Sequence, residues 1–460
     1  MKALMIAGDR SGSGKTSITL AIAALLSRKM RVQTFKVGMD YIDPSYLTGV
    51  TGRPCRNLDS FVMDPAQVRM IFSHGCRDAD IAIVEGVRGL YEGAEALGDA
   101  GSSAGIAKAL SLDVILVVDA RSITRSAAAI VKGFTAFDPA VRIRGVILNN
   151  LKGGSHTEKA VTAIEHYCGI PVIGGIPRMP AMQLTMRHLG LVPFREGEEG
   201  ADFLGRIDRI TELIGKYVDM DRLLALAGES SVPAGPDPVF DDTIPRDVMI
   251  GVALDEAFNF YYSDLFDILH AAGAEYVPFS PVKGRLPDAD GYIFGGGYPE
   301  LFGPSLEKND RMLDAVRETS RNNVPIYAEC GGLMYLTDRI VLEKGWQESV
   351  QDQSFGMCGV IRGDTRMPAR RVVSYIEGES LPGSPVGVAR FRGHEFHYSD
   401  VVLENGTRYL YRLSRGIGIR DGLDGACVNR TLASYSHLHP VASAGMIRSF
   451  VESCRPGRKT

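Results

Sequence analysis

Ala3-Leu4-Met5-Ile6-Ala7-Gly8-Asp9-Arg10-Ser11-Gly12-Ser13-Gly14-Lys15-Thr16-Ser17 starts as an apolar run, breaks into a glycine- and serine-rich turn, and continues into a helix-forming stretch. A buried strand that feeds a small-residue turn and then a helix is the context of a phosphate cradle. Small side chains let backbone N–H groups converge on phosphate oxygens, and the helix N-terminus adds favourable dipole charge. Gly12, Ser13, Gly14, Lys15, Thr16 and Ser17 are therefore expected to hold a nucleoside triphosphate. Lys15 would reach the outer phosphates, and the Thr16 hydroxyl would face Mg²⁺. The loop is one residue longer than usual: five residues separate Gly8 from Gly14, and Asp9 stands where a glycine is customary.

Outward from this loop, short apolar runs alternate with helix-like stretches. Candidate strands are Ala3–Ala7, Val32–Val37, Ile81–Val84, Val114–Val118, Gly145–Leu148 and Val172–Ile173, with helical patterns such as Thr16–Arg28 and Ser102–Leu110 between them. Continuously apolar strands alternating with helices predict a parallel sheet covered on both faces. The pattern weakens near Val192. Residues 227–247 are rich in Pro, Gly and acid and read as a linker. A second α/β series starts at Val248–Leu254 and continues through Gly291–Phe294 and Val324–Ala328. The expected organisation is a nucleotide domain over 1–195, a helical segment and linker over 196–247, and a second α/β domain over 248–456.

Magnesium needs a second hard oxygen ligand, usually at a neighbouring strand end. Glu85 and Asp119 both qualify by pattern. The segment Lys36-Val37-Gly38-Met39-Asp40-Tyr41-Ile42-Asp43-Pro44 follows a buried strand at the edge where open α/β sheets bind ligands. Tyr41, Arg53, Arg56 and Arg88, with Arg121 and Arg125 at comparable places, offer a basic rim for a substrate with several carboxylates.

Deep in the second half, Val324-Pro325-Ile326-Tyr327-Ala328-Glu329-Cys330-Gly331-Gly332 runs from a strand into a sharp turn and an apolar helix start. Such an elbow exposes a nucleophile and points adjacent N–H groups at an oxyanion. Gly331 and, upstream, Gly297 of Gly295-Gly296-Gly297-Tyr298-Pro299-Glu300 are the expected oxyanion donors. Cys330 needs a base to form a thiolate. His437 is the best candidate, with His394 and His397 as rivals. His394-Glu395-Phe396-His397 is one residue short of the zinc-protease spacing, so that chemistry is discounted.

The bulk properties narrow the field. At 460 residues the chain needs more than one core. A net charge of −4 gives no global basic field for nucleic acid. Seven cysteines, none in a CxxC pair, argue against zinc and a disulfide scaffold and for a reducing, cytoplasmic setting. No signal-peptide pattern precedes the first strand, and no apolar run is long enough to span a bilayer.

GDRSGSGKTS, KVGMDYIDPSY, GRPCRNLDSF, VEGVRGLYEG, GSSAGIAKAL, GVILN, RHLGLVP, FGGGYPELF, AECGGLMYL, GHEFHYS and SYSHLH, in this order, resemble the cobyrinic acid a,c-diamide synthase family over nearly the whole chain. The resemblance implies an N-terminal P-loop domain of the dethiobiotin-synthetase type, which shares the long loop, and a C-terminal class I glutaminase domain of flavodoxin-like α/β fold. It implies Lys15 and Thr16 as phosphate-loop residues and Glu85 as the metal-associated acid in preference to Asp119. Asp40 and Glu92 match positions implicated in substrate or metal handling. Cys330 matches the nucleophile and His437 its base. Class I glutaminases ordinarily carry a glutamate two positions past that histidine. His439 stands there instead, which suggests a Cys–His dyad. VRGLYEG, GGGYPELF and GHEFHYS look more like methanogen members that amidate nickel-sirohydrochlorin than like cobalamin-pathway members that amidate cobyrinic acid.

The implied partners are ATP, Mg²⁺, L-glutamine and an anionic metallo-tetrapyrrole whose metal belongs to the substrate. No transition metal is expected on the protein, neither nucleic acid nor membrane is involved, and there is room for a homodimer. A partitioning ATPase would not need Cys330 in an elbow. A scaffold with a degenerate glutaminase would not keep Cys330 and His437. A dethiobiotin-type carboxylase would not need ammonia.

Overall fold

A computed structural model describes residues 1–179, 198–232, 235, 237–241, 244–346 and 350–455. The chain divides into two compact units, Met1–Pro236 and Asp237–Thr460. The stretch RHLGLVP at 187–193 and the expected boundary at 195 lie outside the described residues.

In the first unit, strands β1 (Lys2–Gly8), β2 (Val32–Val37), β3 (Arg56–Leu58), β4 (Ile81–Gly89), β5 (Asp113–Asp119), β6 (Arg142–Leu151) and β7 (Val172–Pro177) form one sheet in the order β3-β2-β4-β1-β5-β6-β7. Every pairing along that path is parallel. The six expected strands are all present, and β3 is added at the edge. β1 lies between β4 and β5 with Ala3 to Gly8 buried, which is why its sequence is apolar without alternation. From β1 the chain passes to β2 on one side, and after β4 it crosses over β1 to β5 on the other. The C-terminal end of β1 is therefore the crevice where open α/β sheets hold ligands.

The helix Glu198–Tyr217 belongs to this unit. It packs on the helix Lys15–Ser27, and Ile207, Ile210 and Ile214 join the apolar core with Leu4, Ile6, Ile18 and Ile22. The strand Gly228–Glu229 pairs antiparallel with the start of β1. The expected separate segment 196–247 is thus divided: its helices complete the first core, and the break falls after Pro236.

The second unit is built on a ten-stranded sheet. Five strands are parallel, in the order Ala274–Phe279, Val248–Ala253, Gly291–Phe294, Ile326–Glu329 and Thr431–Ser434. This half matches the flavodoxin-like expectation. The other half is antiparallel: Leu423–Val428, Arg408–Arg415, Val372–Ser380, Arg390–His397 and His437–Leu438. Strands Thr431–Ser434 and His437–Leu438 are separated by two residues, yet they stand fifth and tenth in the sheet. Five flat strand spacings span roughly 24 Å, more than such a short link can cover. The antiparallel half therefore curls back, and its last strand returns to the end of Ile326–Glu329.

Candidate active site

The loop Gly8–Gly14 leaves β1 and enters the helix Lys15–Ser27 through two left-handed glycines, Gly12 at φ 76° and Gly14 at φ 91°. Gly14 is fixed by space as well as by angle, since a Cβ there would meet Asn149 Nδ2 at 2.2 Å. Asn149 donates through that nitrogen to Ser13 O at 2.8 Å and so ties the loop to the end of β6.

Beside the loop, the Thr16 hydroxyl donates to Glu85 Oε1 at 2.5 Å and lies 3.4 Å from Asp43 Oδ2. Lys36 Nζ is 2.7 Å from Glu85 Oε1 and also pairs with Asp43. Lys15 Nζ is 4.0 Å from Glu85. Burial alone would lower the Lys36 pKa, but Asp43 and Glu85 outweigh it and raise it. Burial, and then the charge of Lys36, push Lys15 below the ordinary lysine value. Asp40 accepts the backbone N–H groups of Ile42 and Asp43 at the start of the helix Ile42–Thr51. Burial, then the Asp43 charge, pushes its carboxyl up to about 6.

Of the two strand-end acids, Glu85 is fully buried in this cluster. Asp119 is turned to Arg121 and Asn150. Glu92 is exposed and accepts the N–H of Gly89 in its own loop. Tyr41 directly precedes the helix Ile42–Thr51 beside Asp40.

The arginines separate. Arg88 is exposed at the end of β4, with φ 48°. It has no ion-pair partner among the described residues. Arg53 does not join the rim. It donates to Gln33 Oε1, Gly75 O and Arg77 O, near the start of β2, whereas the phosphate loop lies at the strand ends. Arg56 is buried at the start of β3, and a Cβ on Gly75 would lie 3.0 Å from its Cδ. Arg53 departs from the sequence-based rim, because the helix Ile42–Thr51 carries the chain back toward the start of β2 before it occurs. Arg56 pairs in register with Phe35, two residues before the end of β2, and is buried rather than set on an open rim. Arg125 lies over the Tyr167 ring at 5.5 Å.

In the second unit, Cys330 follows Ile326–Glu329 with φ 45° and ψ −97° and opens the helix Gly331–Leu336. Its own N–H is committed to Ser434 O at 2.7 Å. Gly331 and Gly297 approach so closely that a Cβ on Gly331 would fall 3.0 Å from Gly297 N. Cys330 Sγ is 3.7 Å from Phe396 O.

His437 interacts with Cys330, and its Nδ1 lies 3.2 Å from Glu329 Oε2. Burial alone would lower the His437 pKa, but Cys330 and Glu329 raise it to about 10. The rival histidines have other duties. The His394 ring stacks on His437 at 4.9 Å, and burial pushes its pKa well below normal. His397 is held by Ser399 O and stacks on Tyr435 at 3.7 Å.

The sequence suggests a Cys–His dyad; in the structure a carboxylate, that of Glu329, faces His437. His439 lies instead 3.7 Å from Asp264, both fully buried, with the Tyr262 ring at 4.7 Å. Sequence reasoning also missed Asp424. This buried carboxylate accepts from Tyr435 N, Ser436 N and Ser436 Oγ, fixing the turn that delivers His437.

Two family descriptions fit the two units. Residues 4–192 match a CobQ/CobB/MinD/ParA nucleotide-binding domain, and residues 249–444 match a CobB/CobQ-like glutamine amidotransferase domain. Cobyrinate a,c-diamide synthases are similar from end to end. The Methanosarcina barkeri protein is 49% identical over 98% of this chain and 96% of its own length. That of Methanosarcina acetivorans is 50% identical over 98% and 95%, and that of Methanothermobacter thermautotrophicus 40% over 98% and 99%. The chain belongs to the cobyrinate a,c-diamide synthase family. Like its family, it is a glutamine-dependent amidating ligase, with ATP and glutamine as substrates of its two domains. Among the described residues, no helix of this diamide synthase homologue is long and apolar enough to cross a membrane.

Proposed function

We propose that the protein amidates the a- and c-acetate carboxylates of nickel-sirohydrochlorin, with ATP activating each carboxylate and glutamine supplying the ammonia. The observation that carries the amidoligase reading is one chain holding both the Lys15–Thr16–Glu85 cluster and the Cys330–His437 pair. The nickel substrate rests on VRGLYEG, GGGYPELF and GHEFHYS. A second reading, cobyrinic acid as substrate, is favoured by the names of the relatives.

In the first unit, backbone N–H groups of Gly12 to Thr16 hold the phosphates. Lys15 offsets charge on the γ-phosphoryl group as it passes to a substrate carboxylate oxygen and ADP leaves. The residues present fit Mg²⁺: Thr16 Oγ1 and Glu85 are hard oxygen donors, and Glu85 Oε2 is buried without a hydrogen-bond partner. Bound there, the metal would supply charge neutralisation for the phosphates. Exposed at the end of β4, Arg88 would offer its guanidinium to a substrate carboxylate; Asp40, Tyr41 and Glu92 border the same strand ends.

In the second unit, Cys330 Sγ attacks the side-chain amide carbon of glutamine while the N–H groups of Gly297 and Gly331 receive the oxyanion. His437 protonates the amide nitrogen, the C–N bond breaks, and ammonia leaves a thioester on Cys330. Water then adds to the thioester and releases glutamate. Ammonia displaces phosphate from the acyl phosphate, and the cycle repeats on the second acetate.

The test is mass spectrometry of nickel-sirohydrochlorin and of cobyrinic acid after incubation with ATP, Mg²⁺ and glutamine. Diamide from the nickel compound supports the proposal. Diamide from cobyrinic acid alone moves the substrate to the second reading and keeps the mechanism. No amide from either, with glutamine or with ammonium, overturns the tetrapyrrole assignment.

A further inference from the structure

We propose that Glu329, the residue directly before the nucleophile, is the positioning carboxylate of the thiol site and takes the place that His439 leaves vacant. The inference rests on the glutaminase reading of Cys330 and goes beyond it.

Three observations carry it. The first is contact. Glu329 Oε2 lies 3.2 Å from His437 Nδ1, while Oε1 accepts from Tyr327 Oη at 2.7 Å and Leu438 N at 3.3 Å. The carboxylate is thus anchored to its own strand and to the strand that carries the histidine. With Nδ1 given to Glu329, Nε2 is the nitrogen left for Cys330, which fixes the tautomer the chemistry needs.

The second is backbone geometry. Consecutive side chains of a strand point to opposite faces. Glu329 ends its strand, and Cys330 turns off it at φ 45°. That turn lets two neighbouring side chains meet one imidazole. The elbow therefore both exposes the sulfur and brings its preceding acid behind the base.

The third is the charge around the ring. His394, stacked on His437, has its pKa pushed well below normal by burial. Burial holds His397 at about 4, so both are neutral near pH 7. His439 faces Asp264. The Tyr261, Tyr327 and Tyr411 hydroxyls around Glu329 are kept protonated, with pKa values raised by burial and then by neighbours including Glu329. Among the described residues, Glu329 is the carboxylate seen against His437. It opposes the cost of an imidazolium in this buried place, so His437 keeps the proton that departing ammonia takes.

Glu329→Gln keeps the size and the hydrogen-bonding capacity and removes the charge. Glutaminase kcat is expected to fall roughly 10²- to 10⁴-fold, in the range of an orienting acid, with KM for glutamine little changed. The alkaline limb of kcat/KM should move to lower pH, because His437 loses a group that raises its pKa. Ammonium-dependent amidation should stay at the wild-type rate, showing that the fold and the first unit are intact. Glu329→Asp should recover part of the loss.

A kcat within about threefold of wild type and an unmoved alkaline limb would overturn the role of Glu329. Equal loss of the ammonium-dependent rate would also overturn it, marking Glu329 as structural. Failure of the underlying reading looks different: the wild type would not hydrolyse glutamine, or Cys330→Ala would still do so.

Discussion

Lys36 shows how one buried side chain holds a site in tension. It is 2% exposed and faces both Asp43 and Glu85. Lys36→Met would leave two buried carboxylates without their cation. The expected loss is about 3–5 kcal/mol in a urea titration at pH 7. Glu300 is the opposite case. It is buried in the turn that follows Gly297, and burial pushes its carboxyl up to about 7. The folded state then binds more protons than the unfolded one between the ordinary glutamate value of 4.5 and about 7. Its contribution is favourable at low pH and is lost as pH rises through that window. Glu300→Gln should remove that slope. Relative to wild type, the variant should gain up to about 3 kcal/mol between pH 4.5 and 8, measured by urea titrations across the range. An unchanged difference across pH would sink the assignment.

At the scale of elements, the thiol site depends on how closely three segments approach. A Cβ on Gly296 would lie 2.7 Å from His437 Cε1 and 3.2 Å from Phe260 Cβ. Gly296→Ala must therefore displace the imidazole or the strand Phe258–Phe260. Glutamine-dependent activity is expected to fall at least tenfold, as a small misplacement of catalytic groups does, while ammonium-dependent activity persists. Equal rates with glutamine would show that the ring has room to move. The phosphate loop was easier to read than this site. Its strand, turn and helix are contiguous, so Gly12 to Ser17 are legible as one motif and the structure keeps them together. Cys330 was legible for the same local reason. Glu329 was adjacent in sequence yet hidden, because alternation along a strand assigns it to the wrong face until the backbone turn at Cys330 is seen.

At the scale of the whole molecule, the chain divides after Pro236 into units that each carry their own sheet and core. Fragments cut between Pro236 and Asp237 should each unfold cooperatively, by circular dichroism in urea. A first fragment that stays molten would place part of its core in the second unit. The linker composition pointed to this region, but the helices before it belong to the first core.

By itself the sequence determined the parallel architecture of the first unit, the glycine-rich loop, the elbow at Cys330 and the family. These rest on local patterns: apolar runs, glycine turns and contiguous motifs. Only the tertiary structure decided how Thr16, Lys36 and Asp43 gather on Glu85, that Arg53 lies away from the rim and Arg56 is buried, and what stands behind His437. Those answers depend on strand order, on the direction in which Ile42–Thr51 carries the chain, and on an antiparallel half-sheet that curls back across more than a hundred residues. Long-range pairing of that kind leaves no periodic mark on the residues it joins.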